Sequence, residues 1–269
     1  MTIRMAEYPA AWRKPPLISA AWLRWGIGVL AAIYLAAAIG SIEINWARLA
    51  VGLPRGWRFL SSFFTPDFLS HGDEIIAGLT ESLAMTVTST ALGIVLAIPL
   101  GLGAARNLAP RPIYLFCRAV IASSRTLQEL IVAIFFVKMF GFGPLAGMLT
   151  LTFASLGFIA KLLAERIEAV EVGPLNAIRS TGASWLQWVN YAIQPQVMPR
   201  LVGLSLYRLD INFRESAVLG IVGAGGIGAT LNTALGRYEY STAAAILLSI
   251  ILIVLTAEYT SGLIRERLR

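Results

Sequence analysis

Long apolar runs separated by short polar stretches set the rhythm of this chain. Runs near 26–44, 79–104, 113–139, 145–163, 201–222 and 243–264 each approach the length of about 20 residues that a helix needs to cross a hydrocarbon core of about 30 Å. They are continuously apolar rather than alternating over about ten residues, which predicts helices and excludes the strands of a membrane barrel. The expected fold class is therefore an all-α membrane protein of about six transmembrane helices. Residues 45–70 break the pattern: Trp46, Trp57, Phe59, Phe63, Phe64 and Phe68 mingle with Arg48, Arg55 and Arg58. That mixture fits a segment lying along the outer membrane surface, or an ordinary periplasmic loop. It divides the chain into 1–74, a first span with this interfacial segment, and 75–269, the main transmembrane domain.

Composition agrees. Of 269 residues 57% are hydrophobic and 14% charged, with a mean hydropathy of +0.71, more than a soluble domain of this length hides from water. The first apolar run lacks a short core followed by a small-residue cleavage site, so it reads as a retained helix. The net charge of +7 is spread over loops and helix ends without a basic block, which points to membrane topology rather than nucleic acid. Arg4, Arg13, Lys14 and Arg24 precede the first span and Arg265, Arg267 and Arg269 follow the last. The positive-inside rule then puts both termini of a multi-pass protein in the cytoplasm. Arg106, Arg111, Lys161, Arg166, Arg179 and Arg200 fall on or near the same side, while Arg237 joins the three arginines of residues 45–70 outside. Trp22, Trp25 and Trp46 sit where interfacial anchors are expected. A lone Cys117 offers no intrachain disulfide, and a lone His71 no histidine cluster for a metal.

Residues 171–200 form a polar island between apolar runs. Pro174 suits a first helical position, Gly182 a stop, and Ser184 followed by Gln187 the spacing of a capping box. A second short helix beginning there should end by Pro195. Leu175, Ile178, Trp185, Leu186, Trp188 and Val189 then offer apolar contacts, either to a groove on a partner protein or to the chain's own bundle.

Asn176-Ala177-Ile178, then Gly182, then Ala192-Ile193-Gln194-Pro195, resembles the EAA loop of binding-protein-dependent ABC importer permeases. It departs from the usual pattern at Asn176, Ile178, Ala192 and Gln194, and keeps Ala177, Gly182 and Pro195 in register. Residues 86–101, the stretch from Gly143 to Glu168, and the stretch from Leu206 to Gly228 resemble the corresponding permease segments, the last being similar to permeases for phosphonate, phosphite and related phosphorus oxyanions. The resemblance covers roughly 75–265. It implies the type I importer permease fold, with Pro174, Asn176, Ala177, Gly182, Trp185, Trp188 and Pro195 in a loop of cytoplasmic coupling helices. It also implies a second permease subunit, identical or related, two ATPase subunits that hold ATP and Mg, and an extracytoplasmic binding protein. No cofactor is expected on this chain itself. Its lysines are Lys14, Lys138 and Lys161, and none follows glycine as a phosphate-binding P-loop requires.

Charges within predicted spans are costly and face protein or water. Arg125 and Glu129 lie four residues apart in the third span, and Arg208, Asp210, Arg214 and Glu215 crowd the fifth. One reading pairs Arg125 with Glu129, and Asp210 or Glu215 with nearby arginines, as structural ties. The other leaves guanidinium groups facing a water-filled path, with Ser123, Ser124, Arg125, Thr126 and Glu129 as first candidates and Arg214 second. Gly223, Gly225, Gly226 and Gly228 fit GxGxxG, but they follow a predicted membrane helix rather than a strand. They are better read as a broken segment for close packing, near the periplasmic gate by resemblance.

The expected function is the permease of an ATP-driven importer of a phosphorus oxyanion, with no ATPase site of its own. The alternatives are a proton-coupled secondary transporter with Glu129 or Glu215 as carrier, a permease for another small anion, or an intramembrane enzyme. A Ser/His dyad in such an enzyme would have to use His71, which no motif joins to a serine within a span.

Overall fold

The computed structural model describes residues 20–41 and 46–267, with side chains to residue 263. Arg4, Arg13, Lys14, Ile44 and Arg269 lie outside the described residues, as do the side chains of Arg265 and Arg267. The regular elements of the described chain are all helices, and the chain divides into two compact units between Arg55 and Gly56.

In the first unit, α1 (Ala21–Gly40) is apolar on all sides and buries no residue, as expected of a helix surrounded by lipid. Helix α2 (Trp46–Ser62) begins in this unit and ends in the second, across the segment read as interfacial. Trp46, Leu49, Leu53, Trp57 and Leu60 recur at helical spacing and are all exposed.

The second unit is built on α3 (Gly72–Gly103) and α6 (Pro144–Glu168). Met85 lies on Gly147, Gly93 on Ser155 and Gly101 on Leu163, an advance of eight residues along both helices at each step. The two helices therefore run parallel, with glycine at each crossing to let the backbones approach. Parallel neighbours require the intervening chain to travel back. That return is made by α4 (Arg111–Thr126) and α5 (Glu129–Phe140), bent by 93° at the break between them. Cys117 and Ile121 of α4 share a core with Ala97, Leu163 and Trp188, whereas Ala133 and Val137 of α5 share one with Ala146 and Leu219 at the other end of the bundle. The pair is thus one broken crossing, which corrects the continuous span expected over 113–139. Leu127 and Gln128 at the break have extended backbone.

After α6 come α7 (Val172–Ser180), α8 (Trp185–Trp188) and a π-helical turn (Val189–Ile193), which leads directly into α9 (Gln194–Ile221). The expected stop at Pro195 is also corrected. Pro195 occupies the first turn of α9, where its missing N–H would have had no intrahelical acceptor, so the chain stays helical through it. Pro174 is likewise in the first turn of its helix, as third residue of α7 rather than first. Helix α9 is 28 residues long and antiparallel to α6, with Val197 and Leu201 in one end core and Leu219 in the other. Helix α10 (Ile227–Gly236) spans about 15 Å at 1.5 Å per residue, too short to cross. Helix α11 (Tyr240–Arg267) completes the unit, packing Ala243, Ile246 and Ile250 beside Ile75 and Phe213.

Candidate functional site

Three features of the second unit carry the candidate residues. The first is the projection of α7 and α8 between α6 and α9. Gly182 turns the chain between the two helices with φ of +78°, a left-handed conformation that strains any residue with a Cβ. Ser184 and Gln187 close the expected capping box: the Ser184 N–H donates to Gln187 Oε1 at 2.8 Å, and the Gln187 N–H to Ser184 Oγ. Pro174, Asn176, Ala177, Gly182, Trp185, Leu186 and Pro195 are exposed. Trp188, for which a partner's groove and the chain's own bundle were both open, is turned in and is 8% exposed. Its Nε1 donates to the Leu175 carbonyl at 3.1 Å, and the Arg179 guanidinium lies 5.1 Å from the ring centre. An indole buried this way finds its hydrogen bond inside the projection and so ties α8 to α7. Leu175 is buried with it. Gln196, which the sequence did not single out, closes the base. Its Oε1 accepts from the Glu171 N–H at 2.9 Å, and its Nε2 donates to the Ala192 carbonyl at 2.8 Å.

The second feature is a polar layer halfway along the bundle. Arg208 of α9 donates through Nη2 to Glu129 Oε1 of α5 at 3.0 Å and to Glu215 Oε2 at 3.1 Å, and through Nε to Ser155 Oγ of α6 at 3.0 Å. Asn212 extends the layer, donating to Ser155 Oγ at 2.9 Å and to Thr90 Oγ1 of α3 at 2.8 Å. One network therefore joins α3, α5, α6 and α9, and satisfying a group such as Arg208, 5% exposed, is what makes its burial tolerable. The proposed tie between Arg125 and Glu129 is replaced by Arg208 with Glu129. After a 93° bend, residues four apart no longer share a helical face, so each finds a different partner. Asp210 pairs with Arg214 at 2.8 Å along α9, and the Arg214 side chain is 57% exposed.

Arg125 lies beside this layer. Gly157 of α6 meets Ser124 so closely that a Cβ there would overlap the serine, and Ser124 Oγ donates to the Phe153 carbonyl at 2.7 Å. This contact seats the end of α4 on α6 and brings the Arg125 guanidinium to 5.9 Å from the centre of the Phe158 ring, with Arg208 at 5.6 Å from the same ring. Ser124, Arg125, Glu129, Phe158 and Arg208 line a half-open cavity of about 150 Å³. Ser123 and Thr126 are exposed on α4, and Thr126 Oγ1 donates back to the Ala122 carbonyl at 2.8 Å. Ser155, Asn212 and Thr90 were missed in the sequence. The available signal was a small polar residue in the middle of each apolar run.

The third feature is the glycine turn between α9 and α10. Gly225 and Gly226 have φ of +78° and +72°. A Cβ on Gly225 would sit 2.7 Å from the Pro144 nitrogen, and the Ile227 N–H beside Gly226 donates to Ser82 Oγ of α3 at 2.9 Å. Gly228 is held against the Ala217 carbonyl and Gly220. Gly223 accepts from the Gly143 N–H at 3.0 Å, and a Cβ on it would strike the Phe142 ring. An open cavity of about 600 Å³, lined in part by Glu81, Phe142, Asn232 and Thr233, adjoins the turn.

Comparison with known proteins gives this arrangement its family. The chain is 40% identical over 253 residues to the phosphate-import permease protein PhnE of Mycolicibacterium smegmatis, covering 91% of this chain and 46% of that protein, so it spans about half that relative's length. It is 41% identical over 224 residues to the putative phosphite transport system permease protein HtxC of Stutzerimonas stutzeri, covering 83% of this chain and 79% of that one. Among solved structures, the inward-facing MetNI methionine ABC transporter matches with a TM-score of 0.64 at 26% identity, over 72% of this chain and 95% of that one. Residues 97–269 match the family described as binding-protein-dependent transport system inner membrane component, and this protein belongs to that family.

Proposed function

We propose that the chain is the permease subunit of an ATP-driven importer that carries a phosphorus oxyanion across the bacterial inner membrane. The observation that carries this reading is the projection of α7 and α8. It is closed on itself by Trp188 and the capping box, stapled at its base by Gln196, and exposes Asn176, Ala177 and Trp185 at its surface. A rigid knob whose backbone bonds are already satisfied suits a groove on a partner. Two ATPase subunits holding ATP and Mg are the partners it fits. A second permease, identical or related, completes the membrane part, and an extracytoplasmic binding protein delivers the cargo.

Both termini are cytoplasmic in this reading, and the knob lies on the same side. The glycine turn is then at the periplasmic end, where a close-packed break can serve as gate. Relatives named for phosphate and phosphite support the substrate class, as do the guanidinium groups of Arg208 in the polar layer and Arg125 beside it. ATP-driven closure of the partners pushes the knob, and the bundle turns that push into alternating access. The test is uptake of radiolabelled phosphite and methylphosphonate by the reconstituted complex with its binding protein. Uptake should require ATP and persist when a protonophore collapses the proton gradient. Uptake that follows the gradient and ignores ATP would replace this reading with the proton-coupled one.

A further inference from the structure

We infer that the cavity between α4, α5, α6 and α9 is a passing site for the transported oxyanion, with Arg125 as its contact and Arg208 held in check. The inference rests on the oxyanion-permease reading and assigns roles within its path. The cavity, about 150 Å³, has room for about five waters at roughly 30 Å³ each, which suits a small tetrahedral oxyanion with part of its hydration shell.

The two arginines on its wall differ in what occupies them. Arg208 is buried, and three of its hydrogen bonds go to Glu129, Glu215 and Ser155. Arg125 is exposed, and no carboxylate lies within ion-pair distance of it among the described residues. A guanidinium on a crossing segment does not face lipid when water or protein is at hand, and the cavity is where the fold puts this one. Phe158 lies beneath both guanidinium groups and steers their planes by cation–π attraction, while the close contact of Ser124 with Gly157 fixes where Arg125 begins. Its planar fork is thereby free to meet two oxygens of one anion at once.

The charges explain why such a site would not trap its cargo. Glu129 and Glu215 both occupy Arg208, so the guanidinium left to meet an anion is that of Arg125. An anion is then held by geometry rather than by a large positive field. Conduction needs binding that is good enough to enter and weak enough to leave.

The experiment is uptake and ATP hydrolysis by the complete complex in proteoliposomes, with saturating binding protein and radiolabelled phosphite or methylphosphonate. Arg125→Gln should slow uptake about tenfold or more, the loss of one charge-assisted hydrogen bond, while ATP hydrolysis stays within about twofold. Arg125→Lys, which keeps the charge and loses the fork, should fall between. Glu129→Gln removes a carboxylate that competes with the anion for Arg208, and should lower both the half-saturating concentration and the maximal rate. Uptake by Arg125→Gln within about twofold of the unaltered complex overturns the inference. If a variant loses hydrolysis and uptake together, rescue of Arg125→Ala by added guanidinium decides: restored uptake supports the site, and no restoration overturns it. An unaltered complex that hydrolyses ATP but takes up none of phosphite, methylphosphonate and phosphate brings down the oxyanion reading, and this site with it.

Discussion

Arg208 on α9 and Glu129, the first residue of α5 after the break, meet at 3.0 Å, and this pair ties the broken crossing to α9. Because Glu215 shares the same nitrogen, Arg208→Met leaves two carboxylates facing each other inside the membrane. Removing one partner of a buried ion pair costs about 3–5 kcal/mol, so the purified variant should melt well below the unaltered protein. Asp210→Asn breaks a pair whose arginine is 57% exposed, and its melting temperature should fall less. A thermal scan of the two variants in one detergent checks the order.

Two tryptophans of the projection should behave oppositely. Trp188→Ala removes a buried indole and its bond to Leu175, and should cost about 3–5 kcal/mol of stability. Trp185→Ala removes a ring that is 52% exposed and should leave the melting temperature nearly unchanged while weakening retention of the ATPase subunits on a column. Equal retention by Trp185→Ala and the unaltered chain would move the docking surface elsewhere.

Gln196→Leu should separate hydrolysis from transport. The side chain joins the start of α7 to the π-helical turn before α9, so its loss loosens the knob from the rod it drives. The expected result is an increase in ATP hydrolysed per anion taken up, with assembly intact. An unchanged ratio would show that the base of the projection needs no such staple.

At the glycine turn, Gly228→Val should disrupt packing because its side chain meets the Ala217 backbone, which cannot step aside. Overpacking of this kind costs about 1–3 kcal/mol and often more against backbone. Gly236→Ala, with open space around its Cβ position, should leave expression and melting unchanged. Measuring both separates a requirement for close approach from a general intolerance of larger side chains in α10.

How far the chain could be read in advance follows from which interactions are local. The capping box of Ser184 and Gln187 was legible because both partners lie within one turn. Four of the six apolar runs lie in helices long and apolar enough to cross, α1, α3, α6 and α11, and the bent pair of α4 and α5 makes a fifth, whereas α9, with Arg208, Asp210, Arg214 and Glu215, is unbroken but not among them. The break at Leu127 was not legible, because neither glycine nor proline marks it. Once that bend was missed, spacing favoured Arg125 as the partner of Glu129, whereas the true partner is 79 residues away. For Trp188 the sequence left two readings open, a partner's groove or the chain's own bundle. An indole on a short surface helix looks like an anchor until its N–H is traced to a carbonyl on the neighbouring helix.

The central claim is that the projection of α7 and α8 receives work from an ATPase, and site-directed crosslinking tests it most directly. The sole native cysteine, Cys117, is buried, so a Trp185→Cys chain carrying Cys117→Ser presents one reactive thiol. In the assembled complex in membranes, a short thiol crosslinker should join this chain to an ATPase subunit, with a yield that changes when ATP is added. Crosslinks to lipid or to a second permease alone, in a complex that still hydrolyses ATP and transports, would contradict the account.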